Sequence, residues 1–384
     1  MTQKLSRRMF LGGAASALSL AAASGSGLAR AAAEAPTPIR PLYGPAPGVA
    51  KLNANENPYG PSPKALKAIM QASQKGAYYV SDSVMKLKSM IAERHGLTPD
   101  HVVLGSGSSA GLTAAAIVAG HKGNILGPDL FWDTTAKVVE VQDIGTIKRL
   151  PKLPSMAIDL DAMYDAIDDS IAMVQVTNPN NPTGLLIEPA RMRSFCIKAS
   201  KKTTVLADEA YNELTDGGEA NSMIPLIKDG HDVIVARTFS KIYGLAGMRV
   251  GYLIAQPERI AEMQRFGIGW YGLNQAGLAA AIASYEDHEF MGFCRSKVKE
   301  AREMVGAAVK EHGLTALPSV TNFMFVDLGN LNAETFRQEM ARERVLIRGI
   351  YRDYTHWSRV SMGLLEDVEK YTRALPKVLY RMRG

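Results

Sequence analysis

His101-Val-Val-Leu-Gly-Ser-Gly-Ser-Ser-Ala-Gly-Leu-Thr-Ala-Ala-Ala-Ile-Val-Ala-Gly120 runs from a short β-branched stretch through a Gly/Ser loop into an alanine-rich helical pattern. The reading is a strand over His101–Leu104, a loop over Gly105–Ser109 and a helix over Ala110–Gly120. A strand that runs directly into a helix is half of a crossover unit, the connection that parallel strands require. The loop's backbone N–H groups would then point at whatever anion sits at the helix N-terminus. A flexible Gly/Ser connector with no ligand is the plain alternative.

Working outward, the same alternation recurs. Further strands are predicted over Gly123–Leu126, Ala172–Thr177, Thr204–Ala207, Asp232–Arg237 and Val250–Ile254, with helices over Val84–Arg94, Pro189–Lys201 and Pro257–Phe266. The implied architecture is a three-layer α/β domain over residues 76–286 with a mostly parallel sheet. Beyond it the pattern changes to a long helix over Glu289–His312, a strand over Asn322–Asp327, a helix over Ala333–Glu343, short strands near Val345–Arg348 and Arg359–Met362, and a last helix from Glu366. Residues 287–384 therefore read as a smaller α+β domain, and the segment 34–75 is expected to pack with it. A chain of 384 residues exceeds the roughly 250–300 at which one core stops growing, which agrees with two packed units.

Residues 1–33 have a different character. Lys4, Arg7 and Arg8 precede a soft run from Gly12 to Leu28, and Ala29-Arg-Ala-Ala-Ala33 supplies an Ala-x-Ala ending. These are the parts of a secretory signal peptide, and Ser6-Arg-Arg-Met-Phe-Leu11 resembles a twin-arginine signal. The expectation is export by the twin-arginine machinery to the periplasm or beyond, with cleavage after Ala31 or Ala33. The leader also distorts the charge. The chain has 44 Lys+Arg against 38 Asp+Glu; the leader holds four of the basic residues and no acid, leaving 40 against 38. A balance of +2 gives no reason to expect a nucleic-acid partner, and no later run is long enough for lasting membrane contact. Two cysteines, Cys196 and Cys294, form no CxxC pair and no metal-ligand spacing, and no metal is expected. They read as one bridge or, more plainly, as two separate packed thiols.

The chemistry is concentrated in Ala236-Arg-Thr-Phe-Ser-Lys-Ile-Tyr-Gly-Leu-Ala-Gly-Met-Arg-Val-Gly-Tyr252. Lys241 follows a strand, between the hydroxyls of Thr238 and Ser240 and the guanidinium of Arg249. Hydroxyls and an arginine fork suit a phosphate dianion, and an amine beside them can form a Schiff base with an aldehyde if its pKa is drawn below the ordinary value. A surface lysine in a turn is the alternative.

With Leu52-Asn-Ala-Asn-Glu-Asn-Pro-Tyr-Gly60, Gly105–Ser109, Asn178-Pro-Asn-Asn-Pro-Thr-Gly184, Asp208-Glu-Ala-Tyr211, Ser240-Lys241 and Arg359-Val-Ser-Met-Gly363 in one order, the chain resembles the fold-type I, class I/II aminotransferases that use pyridoxal 5'-phosphate, and most closely their histidinol-phosphate branch. The resemblance implies a transaminase moving an amino group between an amino donor and a 2-oxo acid through a Schiff base on Lys241. Decarboxylases and lyases share this scaffold and are the alternative. It further implies a phosphate cup of Gly107, Ser108 and Ser109 with Thr238, Ser240 and Arg249. Asp208 would face the ring nitrogen, and Asn181 and Tyr211 the 3-oxygen. Trp132 or Phe131 would stack on the ring, where the branch commonly has tyrosine. Arg359 would grip the substrate carboxylate, with Tyr59 at the entrance and Arg348 in a specificity region. Tyr79 would reach the phosphate of a neighbouring subunit, which implies a homodimer with shared sites.

Overall fold

The computed structural model describes residues 41–384, so the expected leader over 1–33 and the first residues of the 34–75 segment lie outside it. The strands in chain order are β1 (Ala50–Lys51), β2 (Val102–Ser106), β3 (Asn124–Pro128), β4 (Ile147–Leu150), β5 (Ile171–Thr177), β6 (Thr204–Asp208), β7 (Val233–Thr238), β8 (Val250–Ile254), β9 (Thr315–Ala316), β10 (Phe323–Asp327), β11 (Val345–Leu346) and β12 (Trp357–Ser361).

Seven strands form one sheet in the order β2-β8-β7-β6-β5-β3-β4. Its middle strands are mainly apolar, as burial on both faces requires: all residues of β7 and β8 are buried, with Arg237 and Thr238 the polar exceptions at the end of β7. The pairs from β4 to β7 are parallel, but β8 runs antiparallel to both β2 and β7. A uniformly crossing pattern therefore fails at one place. The 11 residues between β7 and β8 hold no crossover helix, only a short 3-10 turn at Ala246–Met248, so the chain must double back. The edge strand β4 escaped the sequence reading because Lys148 and Arg149 interrupt its apolar character.

A second sheet, β12-β10-β9, is antiparallel, and β11 pairs in parallel with β1. The early segment thus divides its contacts. Strand β1 joins the C-terminal part, whereas the helix Pro63–Ser73, capped by Ser62, packs along the helix Gln275–Tyr285, and Lys64 pairs with Asp287 at 2.9 Å. Both cysteines are free and buried, Cys196 in the helix Pro189–Ala199 and Cys294 in His288–Glu311, where its sulfur accepts a hydrogen bond from Asn57 Nδ2 at 3.1 Å.

One polar cluster gathers at the end of the inner strand β7. The Arg237 side chain, 1% exposed, donates to Glu209 Oε2 at 2.9 Å from Nε, and to Glu213 and Glu219 at 3.0 and 3.1 Å from Nη1. It therefore fastens β7 to the irregular segment that follows β6. Removing one partner of a buried ion cluster leaves uncompensated charge. Arg237→Ala should lower the unfolding free energy by about 3–5 kcal/mol in urea denaturation; an unchanged midpoint would show that the glutamates do not depend on it.

Candidate active site

The C-terminal ends of β2, β3, β5, β6 and β7 open on one cavity of about 540 Å³, the position where open α/β sheets bind ligands. Its first wall is the start of the helix Ser108–Gly120. Gly107 precedes it at φ +70°, and a Cβ there would lie 2.2 Å from Arg249 Nη2. Gly251 of β8 lies so close behind that a Cβ would sit 2.1 Å from Ser108 N. Only glycine lets the returning strand touch the helix start, and this contact leaves the first-turn N–H groups facing the cavity.

The doubling back of the chain supplies the rest of that wall. Thr238 is registered with Gly251 and Ser106 with Val250, so Arg249 emerges between the two strand ends. Its Nη1 donates to Ala246 O at 3.0 Å and to Ser240 Oγ at 3.4 Å, and Nη2 to Ser106 O at 3.3 Å. Thr238 Oγ1 donates to Ser240 Oγ at 2.9 Å. Two hydroxyls, a guanidinium and a helix N-terminus together are the donor set that suits a dianion.

Deeper in, Lys241 Nζ donates to the Asn55 carbonyl at 3.0 Å and stands 5.4 Å from the centre of the Tyr211 ring. Burial, helped by the positive charge of Arg359, draws its pKa down to about 8. Asp208, 3% exposed at the end of β6, accepts a hydrogen bond from the Ala210 N–H at 3.2 Å. Burial pushes its carboxyl up to about 6. The Tyr211 hydroxyl accepts from Asn55 Nδ2 at 2.9 Å and Asn181 Nδ2 at 3.3 Å; burial lifts it to about 12, against the pull of Arg359. Asn181 Oδ1 in turn accepts from Arg359 Nη1 at 3.0 Å, while Asn180 turns away to Leu130 O and Thr183. Arg359 Nη2 donates to Asn53 O at 3.1 Å, and its buried Nε has no partner among the described residues.

Trp132 and Phe131 both border the cavity. Phe131 is 4% exposed and covers Gly127, where a Cβ would meet its ring at 2.9 Å, so it belongs to the core under β3. Trp132 is half-buried.

The sequence-derived residues are therefore largely brought together, with three qualifications of place. Arg348 is exposed on the rim. Tyr59 does not line the cavity: its hydroxyl accepts from Leu365 N–H at 3.3 Å and its ring packs edge-on against Phe293, so it does not stand at the entrance expected for it. Tyr79 also lies off this chain's cavity, 84% exposed beside Trp270. Asn55 was not singled out by sequence reading, although it touches Lys241, Tyr211 and Ser361 at once. Its signal was present in the Leu52–Gly60 window, but nothing in an asparagine-rich turn says which amide points inward.

A family model, aminotransferase class I and II, matches residues 47–375. A histidinol-phosphate aminotransferase 2 of Pseudomonas fluorescens is 34% identical over 87% of this chain and 90% of its own length. The histidinol-phosphate aminotransferase of Moorella thermoacetica is 32% identical over 86% of each. Among solved structures, the histidinol-phosphate aminotransferase of Sinorhizobium meliloti in complex with pyridoxal-5'-phosphate superposes with a TM-score of 0.78 at 27% identity, covering 87% of this chain and 91% of that one.

The raised Asp208 carboxyl has a measurable consequence. Its folded-state pKa of about 6 stands above the ordinary 3.8, so its contribution to stability is present below pH 4 and lost as pH rises through 6. Above pH 6 the buried charge costs about 3 kcal/mol. Protein stripped of any cofactor should therefore melt higher as Asp208→Asn than as wild type at pH 7.5, and the difference should vanish near pH 4.

Proposed function

The chain belongs to the class I and II aminotransferases, and from that membership we propose that it moves an amino group between an amino donor and a 2-oxo acid with pyridoxal 5'-phosphate held on Lys241. The observation that carries the assignment of residues is the convergence of the Lys241 amine, the Asp208 carboxylate and the Arg359 guanidinium on one cavity.

The cavity suits the cofactor. Gly107, Ser108, Ser109, Thr238, Ser240 and Arg249 form the seat for its phosphate, and Trp132 presents an indole for its ring. Asp208 holds a negative charge where a ring nitrogen would meet it, in a buried place that otherwise opposes that charge. Asn181 and Tyr211 supply an N–H and an O–H for the 3-oxygen. Once bound, pyridoxal phosphate draws electrons from the donor's Cα and so loosens its proton.

With that group bound, Lys241 would take up the proton at the donor's Cα and later return it. A pKa near 8 leaves part of the amine unprotonated at neutral pH, which a base needs, while its conjugate acid remains available for the return step. Arg359 orients the donor by its carboxylate, since its buried Nε lacks among the described residues a partner that a carboxylate oxygen would provide. The leader supports an exported enzyme whose donor belongs to a secreted metabolite or peptide. The exposed Tyr79 and Tyr271, both packed on the half-buried Trp270, support a homodimer in which Tyr79 serves the neighbouring site.

Lys241→Ala should abolish both the visible absorbance of the lysine-bound cofactor and turnover, measured with a panel of amino acids and histidinol phosphate; retention of both would remove Lys241 from the mechanism. Cell fractionation should place the mature protein, shortened by about 31–33 residues as such leaders are, outside the cytoplasm. A full-length cytoplasmic protein would refute export.

A further inference from the structure

Beside the cofactor seat, the residue after Trp132 is tied to the substrate side of the cavity. Asp133 is 6% exposed, and three cations meet its carboxylate: Arg149 at 3.0 Å, Lys137 at 3.4 Å and Arg352. Arg352 comes from a tight hairpin closed by a bridge between Tyr351 and Tyr354, and it holds φ +50°. That conformation disfavours any residue but glycine, by roughly 1–2 kcal/mol. The hairpin leads directly into β12 and Arg359, and Arg348 on its other side is hydrogen-bonded to Arg359 through both backbones.

A second tie lies alongside. The Tyr354 hydroxyl donates to Asp129 Oδ2 at 2.5 Å, and Lys152, whose side chain is 1% exposed, donates to Asp129 Oδ1 at 2.9 Å and Tyr354 Oη at 3.1 Å. The loop after β3 and the hairpin before β12 belong to different sheets, and these two ties join them beside the cavity that both line. Charge arithmetic makes the first tie the releasable one. Asp133 keeps Arg149 and Lys137 if Arg352 leaves, whereas the second tie holds Lys152, with its side chain buried, against both Asp129 and Tyr354.

We propose that Arg352 and Asp133 are positioning residues that form a clasp, fixing the indole of Trp132 relative to Arg359 and opening to admit substrate. Neither residue touches the reacting atoms; Asp133 acts through Trp132, its neighbour in sequence, and Arg352 through the hairpin that leads into Arg359. The proposal rests on the placement of the cofactor on Lys241 and Trp132 given above.

The test uses holoenzyme and hydroxylamine, a small uncharged nucleophile that consumes lysine-bound pyridoxal phosphate whatever the natural substrate. The wild type is read first: no lysine-bound absorbance for hydroxylamine to remove would refute the cofactor placement itself, apart from the clasp. Arg352→Ala and Asp133→Asn should each speed the loss of absorbance about tenfold, and the double variant should add little to either, since both break one contact. Arg352→Lys should restore a rate near wild type. Tyr354→Phe, which spares the first tie, should give a smaller increase, and the visible circular dichroism of the bound cofactor should weaken in Arg352→Ala. Rates within twofold of wild type for both single variants, or multiplicative effects in the double variant, would overturn the clasp.

Discussion

The site depends on the chain doubling back between β7 and β8. Because β8 runs antiparallel, Thr238 and Gly251 share a register, and the segment between them must project beyond the sheet edge. Everything on that segment, Ser240, Lys241 and Arg249 included, is thereby placed opposite the helix that starts at Ser108. Had β8 been reached by a crossover helix, Arg249 would enter from elsewhere and the cup would lose its guanidinium. Gly251 is the point at which this constraint is tightest, since any side chain there would displace Ser108.

Charge placement follows from that geometry. Lys241 and Asp208 each lose hydration in the same cavity, and burial moves both toward their neutral forms. Arg359 adds to the effect on the amine and opposes it on Tyr211. Protein interiors usually avoid such groups or pair them tightly. Here the Asp208 carboxylate has a lone N–H partner and Arg359 Nε has none among the described residues, while the fully paired cluster around Arg237 stabilises the segment that follows Asp208. The poorly satisfied groups face the cavity and the well satisfied ones lie behind it.

Much of this was legible from sequence because it depends on local pattern. The strands β2, β5, β6, β7 and β8 emerge from β-branched runs within a residue or two, and Gly105–Ser109 and Asp208–Tyr211 mark strand ends, although the expected Gly105–Ser109 loop contracts to Gly107 between β2 and the helix. What failed to show depends on long-range contact. Strand β4 carries two basic residues because an edge strand faces water on one side, so its alternation is weak. Tyr59 reads as a cavity aromatic, but its hydroxyl is taken by the N–H of Leu365, more than 300 positions away. Asn55 is decisive only because three distant groups converge on it. The indole at Trp132 and the ring at Phe131 are indistinguishable in a linear reading; the small residue opposite, Gly127, decides which one sinks into the core.

The two thiols carry a consequence for redox chemistry. Cys196 is pushed up to about 12 by burial and Cys294 is also raised, so neither presents appreciable thiolate at neutral pH. The thiolate is the form that attacks disulfides and oxidants. Sulfur held this way resists mixed-disulfide formation, and a fold that needs no bridge and offers no reactive thiol would pass unchanged between reducing and oxidising surroundings.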